Sequence, residues 1–209
     1  MAKKRIFDFL VSLVLMILTS PIWLVAALRI KFYDHGPVFY RAQRIGLQGK
    51  TFVMHKFRTM VLNADQIGAS STSEDDPRIM PVGKWMRRWK IDELPQLYDV
   101  FRGKMSLVGP RPQVQWAVER YSPEEREVLS VRPGITDWAS IVYSNEGEIL
   151  KGFSDADEAY LRLIHPTKMR LALQYVKKVS LWTDFQIILA TLLSVAGKRP
   201  TAQSILREN

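Results

Sequence analysis

Hydrophobic residues are unevenly distributed along the chain, and the longest uninterrupted apolar block lies close to the N-terminus. Residues 9–28 read FLVSLVLMILTSPIWLVAAL and carry no charge. As a helix, this block of about 20 residues would be about 30 Å long, which matches the hydrocarbon core of a bilayer. The pattern predicts a membrane segment. A signal peptide is the first alternative, since Lys3, Lys4 and Arg5 precede the block, but no small-residue cleavage site follows it.

Two features of this block argue against a simple membrane crossing. Ser20 and Pro21 lie inside it, where proline removes a helix hydrogen bond and costs roughly 3 kcal/mol or a kink. Both flanks are basic, so the positive-inside rule assigns both ends to the cytoplasm. We therefore predict a re-entrant membrane helix hairpin over residues 1–30, broken at Ser20-Pro21. A kinked helix that spans the bilayer is the competing interpretation. The basic residues after the block are Arg29, Lys31, Arg41 and Arg44.

Beyond the apolar block, the pattern changes to short alternating stretches and amphipathic segments. Alternation over residues 38–41 and 51–58, on either side of a glycine-containing turn, predicts a β-hairpin. Apolar spacings of three and four residues predict helices over 94–101 and 168–196, the second interrupted once. We therefore expect a mixed α/β fold, in which residues 31–209 form one domain with interfacial amphipathic helices and a small β-sheet that carries the site.

Composition narrows the choice of partners. Thirty Lys and Arg against 21 Asp and Glu give a net charge of +9, which predicts an anionic partner: nucleic acid, an acidic membrane surface or a phosphorylated substrate. Tryptophans interleaved with basic residues over 82–89 suit a helix at a membrane interface, although single-stranded nucleic acid is bound by the same mixture. The long apolar block argues against nucleic acid. With no cysteine and three widely separated histidines, any metal is expected to be a hard cation held by carboxylate and phosphate oxygens.

The chemically richest stretch is residues 90–112, KIDELPQLYDVFRGKMSLVGPRP. Asp92 and Glu93 open a predicted helix, and acids in a first turn are in most proteins explained as caps. Neighbouring side chains on a regular helix point about 100° apart, so both acids serve one site only if the first turn is irregular, which Pro95 permits. Arg111 stands between two prolines and can bind a phosphate bidentately, although a structural prolyl turn explains the same motif.

Fixed cations flank the two acids on both sides, which points to a site for a metal and a phosphate. Aspartate is a competent nucleophile toward phosphorus when magnesium and arginines neutralise the phosphate oxygens. We expect one carboxylate to act on phosphorus and metal, and the other on an incoming or leaving oxygen. A soluble two-carboxylate glycosidase is excluded, because its acids stand at least about 5 Å apart across a sugar. The flanking cations are Lys84, Arg87, Arg88, Lys90 and Arg111.

Four stretches occur together in this chain: KFRTM at 56–60, DELPQL at 92–97, MSLVGPRP at 105–112 and VRPGIT at 131–136. In these motifs and their order the chain resembles the bacterial sugar transferases, which are monotopic phosphoglycosyl transferases. It is most similar to the small forms that consist of the catalytic domain alone. The resemblance covers nearly the whole chain, including the basic N-terminus and the Ser-Pro pair.

The resemblance implies a membrane enzyme on the cytoplasmic face of the bacterial inner membrane. Such an enzyme moves a sugar-1-phosphate from a UDP-sugar to undecaprenyl phosphate and releases UMP, which is the first membrane step in making an exopolysaccharide, O-antigen or glycoprotein glycan. The resemblance assigns Asp92 as the nucleophile that holds a covalent phosphosugar and contacts Mg²⁺, and Glu93 as its catalytic partner. The family positions near the substrate phosphates correspond to Arg87, Arg111, Lys56 and Arg58.

One segment departs from the family pattern. Many members follow Pro-Gly-Ile-Thr with Gly and then an Asn-Gly-Arg segment, whereas this chain has Asp137-Trp138 and then residues 143–146, YSNE. We therefore do not expect an arginine contact to phosphate from this loop, and which basic residue replaces it is open. We expect an altered sugar pocket instead. Residues 135–143, which adjoin this departure, are predicted as a strand.

A non-catalytic basic membrane-binding module is the competing hypothesis for the whole chain. It predicts that Asp92→Asn leaves all measurable function intact, and it does not explain the combination of four motifs. The sequence does not name the sugar, the glycan pathway or the oligomeric state, and a homodimer is compatible with it.

Overall fold

In the computed structural model, which describes residues 2–67, 71–73, 75–195 and 200–207, the apolar block forms one helix, α1 (Ala2–Asp34). The helix continues through Pro21. Because proline has no amide hydrogen, the Ile17 carbonyl four residues earlier loses its helical donor. The Ser20 hydroxyl donates to that carbonyl at 2.8 Å and replaces the lost bond. The hairpin predicted over residues 1–30 is therefore not confirmed; the segment is a continuous helix that extends to Asp34.

One face of α1 packs against the rest of the protein near both ends of the helix. Near its N-terminus, the Asp8 carboxylate accepts hydrogen bonds from Ser106 Oγ at 2.9 Å and from the Leu107 amide at 3.1 Å. Near its C-terminus, Ala26 and Ile30 are fully buried. Both ends of α1 therefore contact the same domain. The opposite face exposes large apolar side chains, among them Ile6, Leu10, Leu18, Leu24 and Phe32.

A second apolar helix lies beside the N-terminal half of α1. Helix α1 is long and apolar enough to cross a membrane. Only 11% of its most apolar 18-residue segment is buried within the protein. Helix α9 (Leu181–Val195) has 15 residues, which is too few to span a bilayer. The Lys4 ammonium of α1 donates to Asp184 of α9 at 2.5 Å. Side chains of both helices pack on the same core cluster, and α9 also exposes large apolar side chains: Trp182, Phe185, Leu189, Leu192 and Leu193.

The strands of the described chain form two small sheets. Strands β1 (Phe39–Ile45) and β2 (Thr51–Phe57) pair antiparallel around a 3-10 turn, which confirms the predicted hairpin. Strands β3 (Ser106–Val108) and β4 (Gly134–Thr136) pair parallel. The sheet that we expected to carry the site is thus two separate two-stranded sheets, one on each side of the acids in sequence.

Most of the remaining chain is helical. The predicted helix over 94–101 is present from residue 96. The helix predicted over 168–196 is interrupted as predicted, between α8 (His165–Lys177) and α9, and its last residue lies outside the described residues. The strand predicted over 135–143 is wrong beyond residue 136, because the Asp137 carboxylate caps a short helix by accepting the Ser140 amide at 2.6 Å. The other helices are α2 (Pro81–Arg88), α3 (Gln96–Phe101), α4 (Gln115–Glu119), α5 (Trp138–Val142), α6 (Glu146–Ile149), α7 (Ala156–Leu163) and α10 (Ala202–Arg207). Further 3-10 turns cover Ala64–Gln66, Ile91–Glu93 and Glu125–Ser130.

The main hydrophobic core lies where α3, β3, α5, α8 and α9 meet. Val100, Met105 and Val108 are fully buried there, together with Ile141 and Tyr175. The Tyr175 hydroxyl donates to the Val108 carbonyl at 3.0 Å. This contact fixes the end of β3, from which the chain leads directly into the Pro-Arg-Pro segment of the site.

Candidate active site

The two adjacent acids lie at an irregular helix start. Asp92 and Glu93 belong to a 3-10 turn rather than to the α-helix, which begins only after Pro95. Lys90, immediately before the turn, adopts a left-handed backbone conformation with φ of 55°. The first turn is therefore distorted, as two neighbouring acids require if they are to serve one site.

Glu93 is held by two cations from distant parts of the chain. Arg111 donates from Nη1 to Glu93 Oε2 at 3.0 Å and from Nη2 to Oε1, which makes the contact bidentate. Lys56 of β2 donates to Oε1 at 3.3 Å. Burial alone would raise the pKa of Glu93, but the charges of Arg111 and Lys56 outweigh it and hold this pKa well below its usual range. Glu93 is therefore a carboxylate fixed in an ion-pair network.

Asp92 has a different environment, although it is the next residue in the chain. Its side chain is buried, and its Oδ1 atom has no hydrogen-bond partner. Burial raises the pKa of Asp92 and the negative charge of Glu93 raises it further, while the charges of Lys56 and Arg87 oppose the shift. Adjacent titratable groups whose environments drive their pKa values apart are typical of active sites. Asp92 Oδ1 thus lacks a hydrogen bond, whereas Glu93 is held in ion pairs.

The four predicted phosphate-binding residues do not all lie in one place. Lys56 and Arg111 contact Glu93 directly. Arg87 of α2 is oriented by a bond from its Nε to Thr59 Oγ1 at 3.0 Å, and its charge acts on Asp92. The structure therefore brings three of the predicted cations to the two acids.

Arg58 is not among them. Strand β2 ends at Phe57, and the Arg58 guanidinium is turned toward the end of α1, where it donates to Asp34 Oδ2 at 2.7 Å. Its Nε donates to the Pro37 carbonyl at 2.7 Å, and its side chain is buried. Among the described residues, Asp34 and the Pro37 carbonyl hold the Arg58 guanidinium, whereas Lys56 contacts Glu93. In this structure Arg58 anchors the junction between α1 and the domain.

We expect Arg58→Gln to destabilise the protein. Arg58 is buried but the Asp34 side chain is about a quarter exposed, so losing the pair should cost about 1–3 kcal/mol. For a chain of this size that lowers the apparent unfolding temperature by about 2–12 °C. Thermal unfolding of the detergent-purified protein measures the change, with Arg41→Gln on the exposed face of β1 as the control. A variant with unchanged unfolding temperature but lost affinity for a nucleotide sugar would instead assign Arg58 to phosphate binding.

The acids fit a magnesium ion that is shared with a substrate. Within the described parts of the chain, no group of three or more His, Cys, Asp or Glu side chains is placed to hold a metal. Mg²⁺ is usually bound by one or two carboxylates together with substrate phosphates rather than by a cage of protein ligands. The buried Asp92 Oδ1, which lacks a partner, is a suitable carboxylate ligand of this kind.

A contact that sequence reasoning missed supports the position of Lys56. His55 Nδ1 lies 2.7 Å from Asp99 Oδ1, and the His55 amide donates to Asp99 Oδ2 at 2.8 Å. The pair ties β2 to α3 and so keeps Lys56, the next residue, beside Glu93. Residues 55 and 99 do not belong to one sequence motif, so the sequence alone did not predict this contact.

The profile of one protein family, described as bacterial sugar transferase, matches residues 1–198 of this chain. The chain belongs to the bacterial sugar transferase family. The resemblance drawn from the sequence motifs is therefore confirmed. Three of these motifs, KFRTM, DELPQL and MSLVGPRP, supply the residues of the site described above.

Three relatives illustrate the range of this family. An undecaprenyl-phosphate glucose phosphotransferase of Komagataeibacter xylinus is 37% identical over 203 residues, covering 92% of this chain and 35% of the relative. A UDP-N-acetylgalactosamine-undecaprenyl-phosphate N-acetylgalactosaminephosphotransferase of Aeromonas hydrophila is 35% identical over 195 residues, with 92% and 43% covered. The exopolysaccharide production protein ExoY of Sinorhizobium fredii is 33% identical over 212 residues, with 94% and 87% covered. The chain spans less than half the length of the first two relatives and most of the third.

Proposed function

We propose that this protein is a phosphoglycosyl transferase that moves a sugar-1-phosphate from a UDP-sugar to undecaprenyl phosphate and releases UMP. The observation that carries the proposal is the contrast between Asp92, buried and unpaired, and Glu93, fixed by Arg111 and Lys56. This arrangement offers a nucleophile beside fixed positive charge. Relatives named as undecaprenyl-phosphate sugar phosphotransferases support the choice of substrates.

In the first step, an oxygen of the Asp92 carboxylate attacks the phosphorus that bears the sugar. A bond forms between that oxygen and phosphorus, and the bond from phosphorus to the bridging oxygen breaks, so that UMP leaves with the electron pair. Arg87 and Arg111 offset the charge on the phosphate oxygens, which would otherwise repel the carboxylate. The product is an aspartyl-phosphosugar and free UMP.

In the second step, a phosphate oxygen of undecaprenyl phosphate attacks the same phosphorus. The new bond forms as the bond to Asp92 breaks, which yields a polyprenyl diphosphate sugar and regenerates the carboxylate. Glu93 contributes its fixed charge and its hold on Lys56 and Arg111, which orients these cations toward the incoming and leaving phosphates. When bound, Mg²⁺ at Asp92 would neutralise phosphate oxygens and polarise the reacting phosphorus.

Helix α1 is proposed to place this site at the cytoplasmic face of the bacterial inner membrane. Both ends of α1 contact the same domain. A helix that crossed the bilayer would place its two ends on opposite sides of the membrane, where one domain could not contact both. Both α1 and α9 expose large apolar side chains, leucine and phenylalanine in both and tryptophan in α9, which suit immersion in one leaflet. This supports a monotopic course within a single leaflet over a crossing.

Cysteine labelling is expected to find both ends of α1 on the cytoplasmic side. The chain contains no cysteine, so Ala2→Cys and Gln43→Cys, one on each side of α1, each give a single reactive thiol. An impermeant maleimide should label both variants in inverted membrane vesicles and neither in right-side-out spheroplasts. Labelling of the two positions from opposite sides would show that α1 crosses the membrane.

The proposed activity is tested by UMP release from the purified protein in detergent. We expect release with undecaprenyl phosphate, Mg²⁺ and one of UDP-glucose, UDP-galactose or UDP-N-acetylgalactosamine, and loss of release with EDTA. The matched controls omit the lipid or replace it with undecaprenol, which lacks the acceptor phosphate. No release with these or other nucleotide sugars, from protein shown to be folded, would leave the non-catalytic membrane module as the better account.

A further inference from the structure

Helix α2 and the residue after it have two unlike faces. Gly83 and Met86 are buried, and Met86 belongs to a hydrophobic cluster that includes Ala26 and Ile30 of α1. The packing of α2 on α1 leaves the other face of α2 outside. Two cations and two tryptophans are exposed there: Lys84, Trp85, Arg88 and Trp89.

The cations of this outer face are not neutralised within the part of the chain that the structure describes. Neither Lys84 nor Arg88 lies in an ion pair with a carboxylate. At the site, by contrast, Arg111 and Lys56 are both paired with Glu93. Lys84 and Arg88 are four residues apart on one helix, and like charges at this spacing destabilise a helix slightly. An anionic partner outside the protein would offset this repulsion.

The outer face of α2 continues into the exposed apolar face of α1. The Arg29 guanidinium of α1 lies over the Trp85 ring, 5.2 Å from the ring centroid, which is within the range of a cation–π contact. Val25 and Phe32, four residues before and three residues after Arg29, share its side of the helix and are exposed. The basic surface of α2 therefore adjoins the apolar surface that we placed in the membrane.

This succession of surfaces matches the layers of a bilayer leaflet. Apolar side chains of α1 suit the acyl chains, tryptophans suit the interface, and cations suit the headgroups. Single-stranded nucleic acid is bound by the same mixture of tryptophan and basic residues, but it offers nothing to cover the adjoining apolar side chains. Lysine and arginine near a membrane surface are attracted to anionic headgroups. A lipid with net negative charge is therefore the partner that complements the whole surface.

We propose that the outer face of α2, formed by Lys84, Trp85, Arg88 and Trp89, binds the headgroups of anionic phospholipids, so that the protein selects these lipids from a mixed membrane. The lipid is neither the donor nor the acceptor of the reaction, so the inference goes beyond the transferase activity. It shares with the proposed function only the placement of α1 in the membrane.

Lipid binding by the full chain in nonionic detergent tests this inference without requiring turnover. The anisotropy of fluorescently labelled phosphatidylglycerol and phosphatidylcholine in the mixed micelles reports binding of each lipid. We expect phosphatidylglycerol to bind more tightly, and the double variant Lys84→Gln/Arg88→Gln to weaken its binding by about 3- to 10-fold. Added salt should reduce the difference between the two lipids. Lys84→Arg/Arg88→Lys keeps both charges and should keep the preference.

The matched control, Arg162→Gln/Arg170→Gln, removes two exposed cations from α7 and α8. It should leave binding of phosphatidylglycerol within about twofold of the unmodified protein. Equal weakening in this control would assign the preference to net charge, and unchanged binding in the α2 variant would remove anionic lipid as the partner. Loss of single-stranded oligonucleotide binding in the α2 variant, with lipid binding unchanged, would assign the face to nucleic acid.

The outcome is separable from the proposed function, because no step of this measurement involves a nucleotide sugar. A protein that prefers phosphatidylglycerol through α2 but releases no UMP would contradict the transferase activity and leave the lipid surface standing. A protein that releases UMP but binds both lipids equally would do the reverse.

Discussion

Asp92→Asn is expected to abolish sugar-phosphate transfer, with UMP release falling by about 10³-fold or more. The amide is neutral and cannot attack phosphorus, and the neighbouring carboxylate, Glu93, is held by Arg111 and Lys56 and does not replace it. The substitution changes the size of the side chain little, so binding of the donor should be largely retained. UMP release and donor affinity, measured on the same preparation, separate loss of chemistry from loss of binding.

The loss of activity should not come from unfolding. In the folded protein burial raises the pKa of Asp92 above its usual value. A carboxyl group with a raised folded-state pKa contributes least to stability at high pH, because the ionised form is the one that folding disfavours. At neutral pH an asparagine removes this cost, so the unfolding temperature of Asp92→Asn should equal or exceed that of the unmodified protein. For the same reason, activity should fall as the pH drops through the raised pKa of Asp92.

Asp65→Asn is the matched control, because Asp65 is exposed and lies outside the four motifs. It should retain both activity and stability. Full activity of Asp92→Asn would contradict the assigned role, and a large drop in its unfolding temperature would show that Asp92 is a structural residue.

Arg111→Met is expected to lower kcat/KM by about 10²- to 10³-fold. Methionine keeps much of the length of the side chain but removes the guanidinium, so Glu93 loses its bidentate partner and retains only the 3.3 Å contact with Lys56. The pKa of Glu93 should then rise toward its usual value, since Arg111 is the largest of the charges that lower it. Arg111→Lys should recover only part of the loss, because an ammonium group does not bind a carboxylate or phosphate bidentately.

Steady-state kinetics against the preferred UDP-sugar measure this effect, with the exposed Arg102→Met as the control for removing one positive charge. A loss confined to Arg111→Met and only partly recovered by Arg111→Lys supports the role assigned here. Equal losses in the Arg102 and Arg111 variants would mean that net charge, rather than the position of Arg111, determines activity.

The two acids and Arg111 could be picked out from the sequence because they lie in short motifs. Asp92, Glu93 and Arg111 fall within one stretch of residues, and the irregular first turn followed from the demand that two adjacent acids share a site. The hairpin that carries Lys56 followed from alternation alone. Local patterns of this kind are read directly from the chain.

Three predictions from the sequence differ from the structure, because a side-chain contact changed what the local sequence pattern predicted. The family resemblance placed Arg58 with Lys56 near the substrate phosphates, but the Arg58 guanidinium is paired with Asp34, 24 positions earlier in the chain. A β-rich composition predicted a strand after residue 136, but the cap from Asp137 starts a helix instead. Pro21 predicted a break in α1, yet the Ser20 hydroxyl replaces the missing donor. In each case a single side-chain hydrogen bond or ion pair overrides the pattern of the backbone.

The departure from the family pattern at residues 137–138 and 143–146 predicted an altered sugar pocket, which stays a prediction.

The central claim is that Asp92 carries the sugar phosphate through a covalent intermediate, and intact-protein mass spectrometry tests it most directly. The purified protein is incubated with the preferred UDP-sugar and Mg²⁺ in the absence of undecaprenyl phosphate and then quenched in acid. We predict that the mass of the protein increases by one sugar phosphate, that the adduct maps to the peptide containing Asp92, and that undecaprenyl phosphate removes it. An enzyme that releases UMP only when the acceptor is present, and that never carries an adduct, would contradict the account.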